Sequence, residues 1–358
     1  MGKKQINGSM KKADFTRRTF LKGSLAAAII CPLTADVSGF GEKGSFIPSP
    51  GQGLGSAPPM VGQVNGMPYR FLGKTGVKVS LLGVGGYHIG TIASPKEAVA
   101  LIRTALDEGV NFLDNAWEYH NGQSEERMGK ALQDGYRAKA FLMTKVCART
   151  ERGAMENLED SLRRMKTDVI DLWQFHEVDF DNHPDMIFAK SGAIHAAIKA
   201  KEQGKIRFIG FTGHKAPHIH LKMLRMDFPW DAVQMPINIL DAHYQSFARG
   251  VVPVLVERKI GVIAMKTAAS GAIVRGTKVG ATECLRYAMS LPVSVVVSGM
   301  DNKEMALRNI AATKAFNPMN EKEIFDLLAR VRDVAGDGSL ERFKTSADFD
   351  SEIHLNQH

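Results

Sequence analysis

Four side chains near the middle of the chain have the types needed to move a proton beside a hydride transfer: Asp114, Tyr119, Lys145 and His176. Reducing a carbonyl group takes hydride at carbon and a proton for the developing alkoxide. A free tyrosine is a weak acid, with a pKa of roughly 10. A nearby ammonium stabilises the tyrosinate and lowers that value, and a carboxylate orients the ammonium. Lys145 is therefore expected to be the cation, Asp114 its partner and Tyr119 the proton donor. A neutral His176 would hydrogen-bond the substrate oxygen and fix its approach to Tyr119. Singly, each has an ordinary structural explanation: a packed loop tyrosine, a salt bridge, a core histidine. Together they have one job in common.

Such groups must be brought to one place by the elements that carry them. From Tyr69 onward, short apolar runs alternate with longer amphipathic ones. Strands are expected at Leu81–Val84, Asn111–Asp114, Phe141–Lys145, Val169–Phe175, Phe208–Thr212, Ala232–Gln234, Val262–Lys266 and Val295–Ser298. Helical stretches are expected near 95–108, 124–133, 151–165, 193–203, 216–226, 246–258, 280–290 and 303–314. Eight strands, each followed by a helix, predict a (β/α)8 TIM barrel of the α/β class, whose active sites lie where strands end and loops begin. Asp114, Lys145 and His176 end successive strands and Tyr119 lies in the loop after Asp114, so all four should face one mouth.

Ahead of the barrel, Tyr69–Leu72 and Val77–Ser80 flank Gly73-Lys74-Thr75-Gly76 and predict a β-hairpin that could plug its bottom. Behind it, Asn320 with Glu323 predicts a capping box for an extra C-terminal helix with Ile324, Leu327, Leu328 and Val331 as its apolar stripe. No pattern is legible from Gly336 onward. A dinucleotide-binding Rossmann reading fails, because His88 stands where the third glycine after Gly83-Val84-Gly85 should be.

The run N-F-L-D-N-A-W-E-Y-H-N-G-Q-S-E-E-R-M-G-K-A-L at 111–132 resembles the stretch of the aldo-keto reductases that carries their catalytic Asp and Tyr. Thr144–Lys145 and L-W-Q-F-H at 172–176 match the family's lysine and histidine segments in order. The resemblance covers roughly residues 68–316. It implies NAD(P)H-dependent reduction of an aldehyde, ketone or keto-sugar, with NADP as cofactor by family habit and NAD possible. It also implies that Thr212, Gln234, Met265, Lys266, Ser298 and Asn309 contact the cofactor. Four positions depart from the family pattern: Gly213 replaces an asparagine, Met265 a stacking tyrosine, and Gly299 and Met305 stand where the 2′-phosphate is usually gripped. Tyr87, His88 and Trp117 are expected to line the substrate mouth, Trp117 by stacking on a sugar or ring. Two other readings stay open: a sugar or alcohol dehydrogenase with retained cofactor, and a non-enzymatic cofactor-sensing regulatory subunit.

Metal chemistry is not expected. His214, His218 and His220 lack further oriented ligands and suggest a solvated helix start, and His176-Glu177 lacks the second histidine of a helical zinc motif. Cys31, Cys147 and Cys284 have no metal or disulfide spacing.

The net charge of +8 does not point to nucleic acid. Seven Lys or Arg and one acid lie in residues 1–35, which hold +6 of it, and no basic stripe with aromatics appears elsewhere. Arg17–Arg18, followed by Phe20, Leu21, Lys22 and the apolar stretch from Leu25 to Leu33, predict a twin-arginine signal over residues 1–35. The expected partner is the twin-arginine export machinery, and the expected place is the periplasm or another exported location. Residues 36–66, rich in Gly, Pro and Ser, suggest a flexible linker, 67–316 the barrel, and 317–358 the C-terminal helix and tail. No membrane span is expected in the mature part.

Overall fold

The computed structural model describes residues 56–355. The signal assigned to 1–35 and most of the expected linker lie outside these residues. Eleven strands follow in order: β1 Gly62–Val64, β2 Met67–Phe71, β3 Lys78–Ser80, β4 Leu82–Gly85, β5 Phe112–Asp114, β6 Phe141–Val146, β7 Ile170–Phe175, β8 Ile206–Thr212, β9 Ala232–Pro236, β10 Gly261–Met265 and β11 Val295–Ser298. Strands β4 to β11 close into a barrel in chain order, with β11 pairing back on β4. Every pair in it is parallel. This is the (β/α)8 barrel that the strand–helix rhythm predicts, each of the eight strands lying within a residue or two of its expected place.

The first three strands form a small antiparallel sheet. β2 and β3 are the expected hairpin. Leu72 and Val79 pack with Phe112, Phe141, Leu172, Ala232, Ile263 and Val295, which fill the barrel from the starts of its strands. The hairpin is thus the bottom plug. β1 corrects the linker reading: Gly62–Val64 pair with Met67–Tyr69, so the chain is already a strand four residues before the expected boundary at 66. Asn65 and Gly66 join the two strands at φ of 50° and 80°, the left-handed pair of a tight type I′ hairpin turn, which Asn-Gly adopts readily.

The helices owe their starts to residues that accept from orphan amides. Ser94 accepts from Glu97 N ahead of Pro95–Asp107, and Thr150 from Gly153 N ahead of Glu151–Met165. The capping box at Asn320 and Glu323 forms as expected and opens the helix Glu321–Ala329. That helix lies on the barrel wall, where Arg286 meets Glu323 and Arg330 meets Glu283 of the helix Ala281–Ser290.

The last segment is ordered by polar contacts. Lys344 Nζ, wholly buried, lies 2.8 Å from Asp241 Oδ1 and 2.9 Å from Glu341 Oε2. Asn238 Nδ2 donates to Glu341 Oε1, and Ser351 N to Glu177 Oε2. These partners follow β9 and β7, so residues 341–354 lie across the strand ends at the mouth. Among the described residues no helix is long and apolar enough to cross a membrane.

Candidate active site

The barrel brings the four sequence-predicted residues together. Asp114 ends β5, Lys145 lies one residue before the end of β6, His176 follows β7, and the loop after β5 carries Tyr119. Lys145 Nζ donates to Asp114 Oδ1 at 2.9 Å, to the Asn115 carbonyl at 2.7 Å and to Tyr119 Oη at 3.2 Å. The tyrosine and His176 rings meet edge to face, 5.5 Å apart. Asp114, Lys145 and His176 are buried, and Tyr119 is half-buried.

Behind these four stands a second row whose contacts the sequence reading did not foresee. Gln234, expected at the cofactor, donates through Nε2 to Asp114 Oδ2 at 2.7 Å and accepts from Gln174 Nε2 at 3.0 Å. It therefore orients Asp114. Glu118 Oε1 lies 2.9 Å from His176 Nδ1. An ionised carboxylate only accepts, so Nδ1 carries a proton. A neutral His176 would then present a lone pair at Nε2. Donation toward a substrate oxygen needs the imidazolium, with Glu118 as its counter-ion. The signal for Glu118 was its place beside Tyr119, but nothing in the spacing showed which ring it would face.

The acidity of Tyr119 also departs from expectation. Burial holds its phenol well above the ordinary range, and the carboxylates of Asp114 and Glu118 push the same way. The sequence reading expected Lys145 to lower it. In the structure the Lys145 charge is countered by Asp114 at 2.9 Å. Tyr119 is thus held in its protonated form across the neutral range.

Other residues of the 111–132 run are anchors. Ser124 Oγ donates to Gly86 O at 2.6 Å, and Arg127 Nη1 to the carbonyls of Ile89, Gly90 and Ile92. Glu125, buried, accepts from Thr144 Oγ1 at 2.7 Å and from Arg164 Nη1 at 3.2 Å. They tie the helix Gln123–Ala131, which follows β5, to the segment after β4, to β6 and to the helix Glu151–Met165.

The remaining expected residues fall into two groups. At the ends of β8, β10 and β11, Thr212 Oγ1 lies 4.0 Å from Met265 Sδ, and Asn309 Nδ2 donates to Ser298 Oγ at 3.2 Å. Lys266 lies just past β10, with its ammonium over the rings of Phe343 and Phe349. Of the expected substrate residues, Tyr87 is exposed, with its ring 5.4 Å from that of Tyr119, and His88 Nδ1 lies 2.5 Å from Asp301 Oδ1. Trp117 is held differently. Its indole donates to Asp160 Oδ2, and the Arg164 guanidinium covers its ring, so its contacts are with the outer helix Glu151–Met165. It packs at the rim. A cavity of about 770 Å3 lies on that same outer side, lined by Thr150, Met155 and Lys199, away from the quartet.

Residues 81–283 match the Aldo/keto reductase family. The chain belongs to the aldo/keto reductase family. It is 29% identical to aldo-keto reductase YhdN of Bacillus subtilis over 229 residues, covering 60% of this chain and 64% of that one. It is 32% identical to L-galactose dehydrogenase of Arabidopsis thaliana over 155 residues, 40% of this chain and 48% of that one. The chain thus spans from about half to just under two thirds of these two curated relatives. A solved aldo-keto reductase of Bacillus halodurans in its holo form superposes with a TM-score of 0.63 at 24% identity, over 77% of this chain and 99% of that one, which shows the shared fold.

Within the family pattern, the departure at Gly213 has a steric cause. A Cβ there would lie 2.6 Å from Val178 O and 2.7 Å from Asp179 Oδ1, so the loop after β7 occupies the room an asparagine would need. At Gly299 a Cβ would meet the His88 ring at 2.2 Å. The expectation of a solvated helix start at His214, His218 and His220 is corrected for two of the three. His218 is exposed beside Asp181, but His214 and His220 are buried. His220 packs on Phe211 and Phe247, and burial lowers its pKa to about 4. His214 lies between Glu177, Asp179 and the carbonyl of Phe343.

Proposed function

We propose that this aldo/keto reductase reduces a small aldehyde, ketone or keto-sugar, with Tyr119 as the proton donor. The observation that carries the reading is the Lys145 ammonium, which bonds both Asp114 Oδ1 and Tyr119 Oη. A reduced nicotinamide dinucleotide, when bound, supplies the hydride. The residues at the strand ends fit it. Lys266 makes no ion pair among the described residues and can meet an anionic phosphate, and the Thr212, Ser298 and Asn309 side chains add polar groups. Met265 offers its polarizable sulfur to a ring face. NADP is taken as the cofactor on family grounds.

Tyr119 gives its proton to the carbonyl oxygen as negative charge grows there. Lys145 stabilises the tyrosinate left behind, while Asp114 and Gln234 hold Lys145 in register. His176 donates to the same oxygen, with Glu118 balancing its charge. Burial and the nearby carboxylates raise the Tyr119 pKa, so the phenol is protonated before turnover, as a proton donor must be. The similarity to L-galactose dehydrogenase supports a second reading, oxidation of a sugar hydroxyl by the same groups in reverse. Turnover of a carbonyl and sugar panel with each dinucleotide, in both redox states, separates the two. Consumption of the reduced cofactor with a carbonyl supports the first, and activity confined to the oxidised cofactor with sugars supports the second.

Export belongs to the proposal and rests on Arg17–Arg18 and the apolar stretch behind them. The twin-arginine route carries folded proteins, which suits a barrel that closes on its cofactor first. Arg17→Lys together with Arg18→Lys is expected to leave the protein in the cytoplasm. Fractionation after expression checks this, and undiminished periplasmic protein would contradict it.

A further inference from the structure

Beside the quartet, two loops and the C-terminal segment converge on an arrangement that the reduction does not use. Glu177 and Asp179 lie in the loop after β7, and His214 lies two residues past β8. His214 Nδ1 is 3.0 Å from the Phe343 carbonyl, which can only accept, so Nδ1 bears a proton. Nε2 then faces inward, and against the opposing effect of burial Asp179 and Glu177 beside it raise the affinity of that atom for a cation. Nε2 faces Asp179 Oδ2 at 3.3 Å and Glu177 Oε1 at 3.8 Å, and the ligand atoms of all three residues lie within 4.8 Å of one another. Neither His214 Nε2 nor Asp179 Oδ2 makes a hydrogen bond among the described residues, although their side chains are only 4% and 2% exposed.

Three electron-rich atoms in a buried space call for a cation between them. A proton on Nε2 would have to bridge gaps of 3.3 and 3.8 Å, longer than the roughly 2.7–3.2 Å of an ordinary N–H···O bond. A tetrahedral zinc-type ion about 2.0–2.2 Å from each ligand sets its ligand atoms about 3.3–3.6 Å apart. Of the neighbouring cations, neither Lys266 nor Arg149 makes a salt bridge to either carboxylate among the described residues, although both act on them at longer range. The Lys266 ammonium lies 5.1 Å from the centre of the Phe343 ring.

We propose that Glu177 Oε1, Asp179 Oδ2 and His214 Nε2 bind a divalent transition-metal ion of the zinc type. The surrounding contacts are those that fix metal ligands. Asp179 Oδ1 accepts from the backbone N–H groups of His214 and Lys215 at 2.5 and 3.0 Å. Glu177 Oε2 accepts from Ser351 N at 3.1 Å, and Phe343 O holds the imidazole tautomer. Gly213 leaves the space that Asp179 fills. Because Phe343 and Ser351 belong to the C-terminal segment, the ion clasps that segment to the loops after β7 and β8.

The test needs no turnover, so its outcome is separate from that of the reductase reading. The full chain is stripped with a chelator and titrated with Co2+, then with Zn2+. The proposal expects visible cobalt absorption that saturates near a single ion per chain, displacement by Zn2+, and a higher Tm with either ion. Asp179→Asn and His214→Gln should each weaken Co2+ binding by at least about 100-fold, while His218→Gln at the exposed histidine leaves it unchanged. A stripped chain with no cobalt spectrum and no Tm shift overturns the proposal. So does binding that survives Asp179→Asn but is lost in His218→Gln. Should the substitutions unfold the chain, the wild type decides by nitrogen NMR. Zn2+ should move the His214 Nε2 resonance while Nδ1 keeps its proton, and an unmoved resonance contradicts the site.

Discussion

Tyr119→Phe is expected to lower kcat for carbonyl reduction by about 100- to 10,000-fold, the usual contribution of a positioned general acid. The substitution removes one hydroxyl, which accepts from Lys145 at 3.2 Å, and keeps the ring that packs against Tyr87 and His176. Stability should therefore change by only about 0.5–1.5 kcal/mol. Binding of the dinucleotide, read by fluorescence titration, should be unchanged. Steady-state rates compared with Tm and cofactor affinity check all three. Turnover within a few-fold of the parent would remove Tyr119 from its assigned role.

Lys145→Met is the second large effect, and it combines stability with catalysis. Lys145 and Asp114 are both buried and lie 2.9 Å apart. Removing the cation leaves the Asp114 carboxylate uncompensated, apart from its bond from Gln234 Nε2. The expected loss of stability is about 3–5 kcal/mol, measured as a lower denaturant midpoint. The tyrosinate formed during turnover loses its neighbouring ammonium as well, so kcat falls with it. Asp114→Asn combined with Lys145→Met removes the stranded charge. The pair should regain most of the stability and none of the activity. Activity recovered together with stability would show that Lys145 is structural only.

The barrel was legible because its signals are local and repeated. Each of β4 to β11 is a short apolar run, helices between them start at caps such as Ser94 and Thr150, and the helix after the barrel starts at Asn320. The quartet was legible for the same reason, since position at a strand end predicts direction in this fold. β1 was missed although Asn65-Gly66 announces a hairpin, because the Gly- and Pro-rich residues before it suggested a linker. The C-terminal segment could not be read at all. Its order comes from Lys344 on Asp241 and Ser351 on Glu177, pairs far apart in sequence that leave no periodic trace. The bonds of Gln234 to Asp114 and of Glu118 to His176 were not foreseen, because they depend on which side chain each faces, and strand position does not fix that. The direction of the Tyr119 shift failed in the same way. Sequence shows that Lys145 is near, but not that Asp114 neutralises it or that burial raises the phenol.

The central claim is that hydride passes to a carbonyl carbon while Tyr119 protonates the oxygen. The most direct measurement uses a nicotinamide dinucleotide carrying deuterium at the transferable position, with an aldehyde or keto-sugar that the protein consumes. The account predicts that the label appears on the carbinol carbon of the product, mole for mole with cofactor oxidised, and that Tyr119→Phe slows its appearance without moving it. A product free of label, formed while the cofactor is untouched, would contradict it.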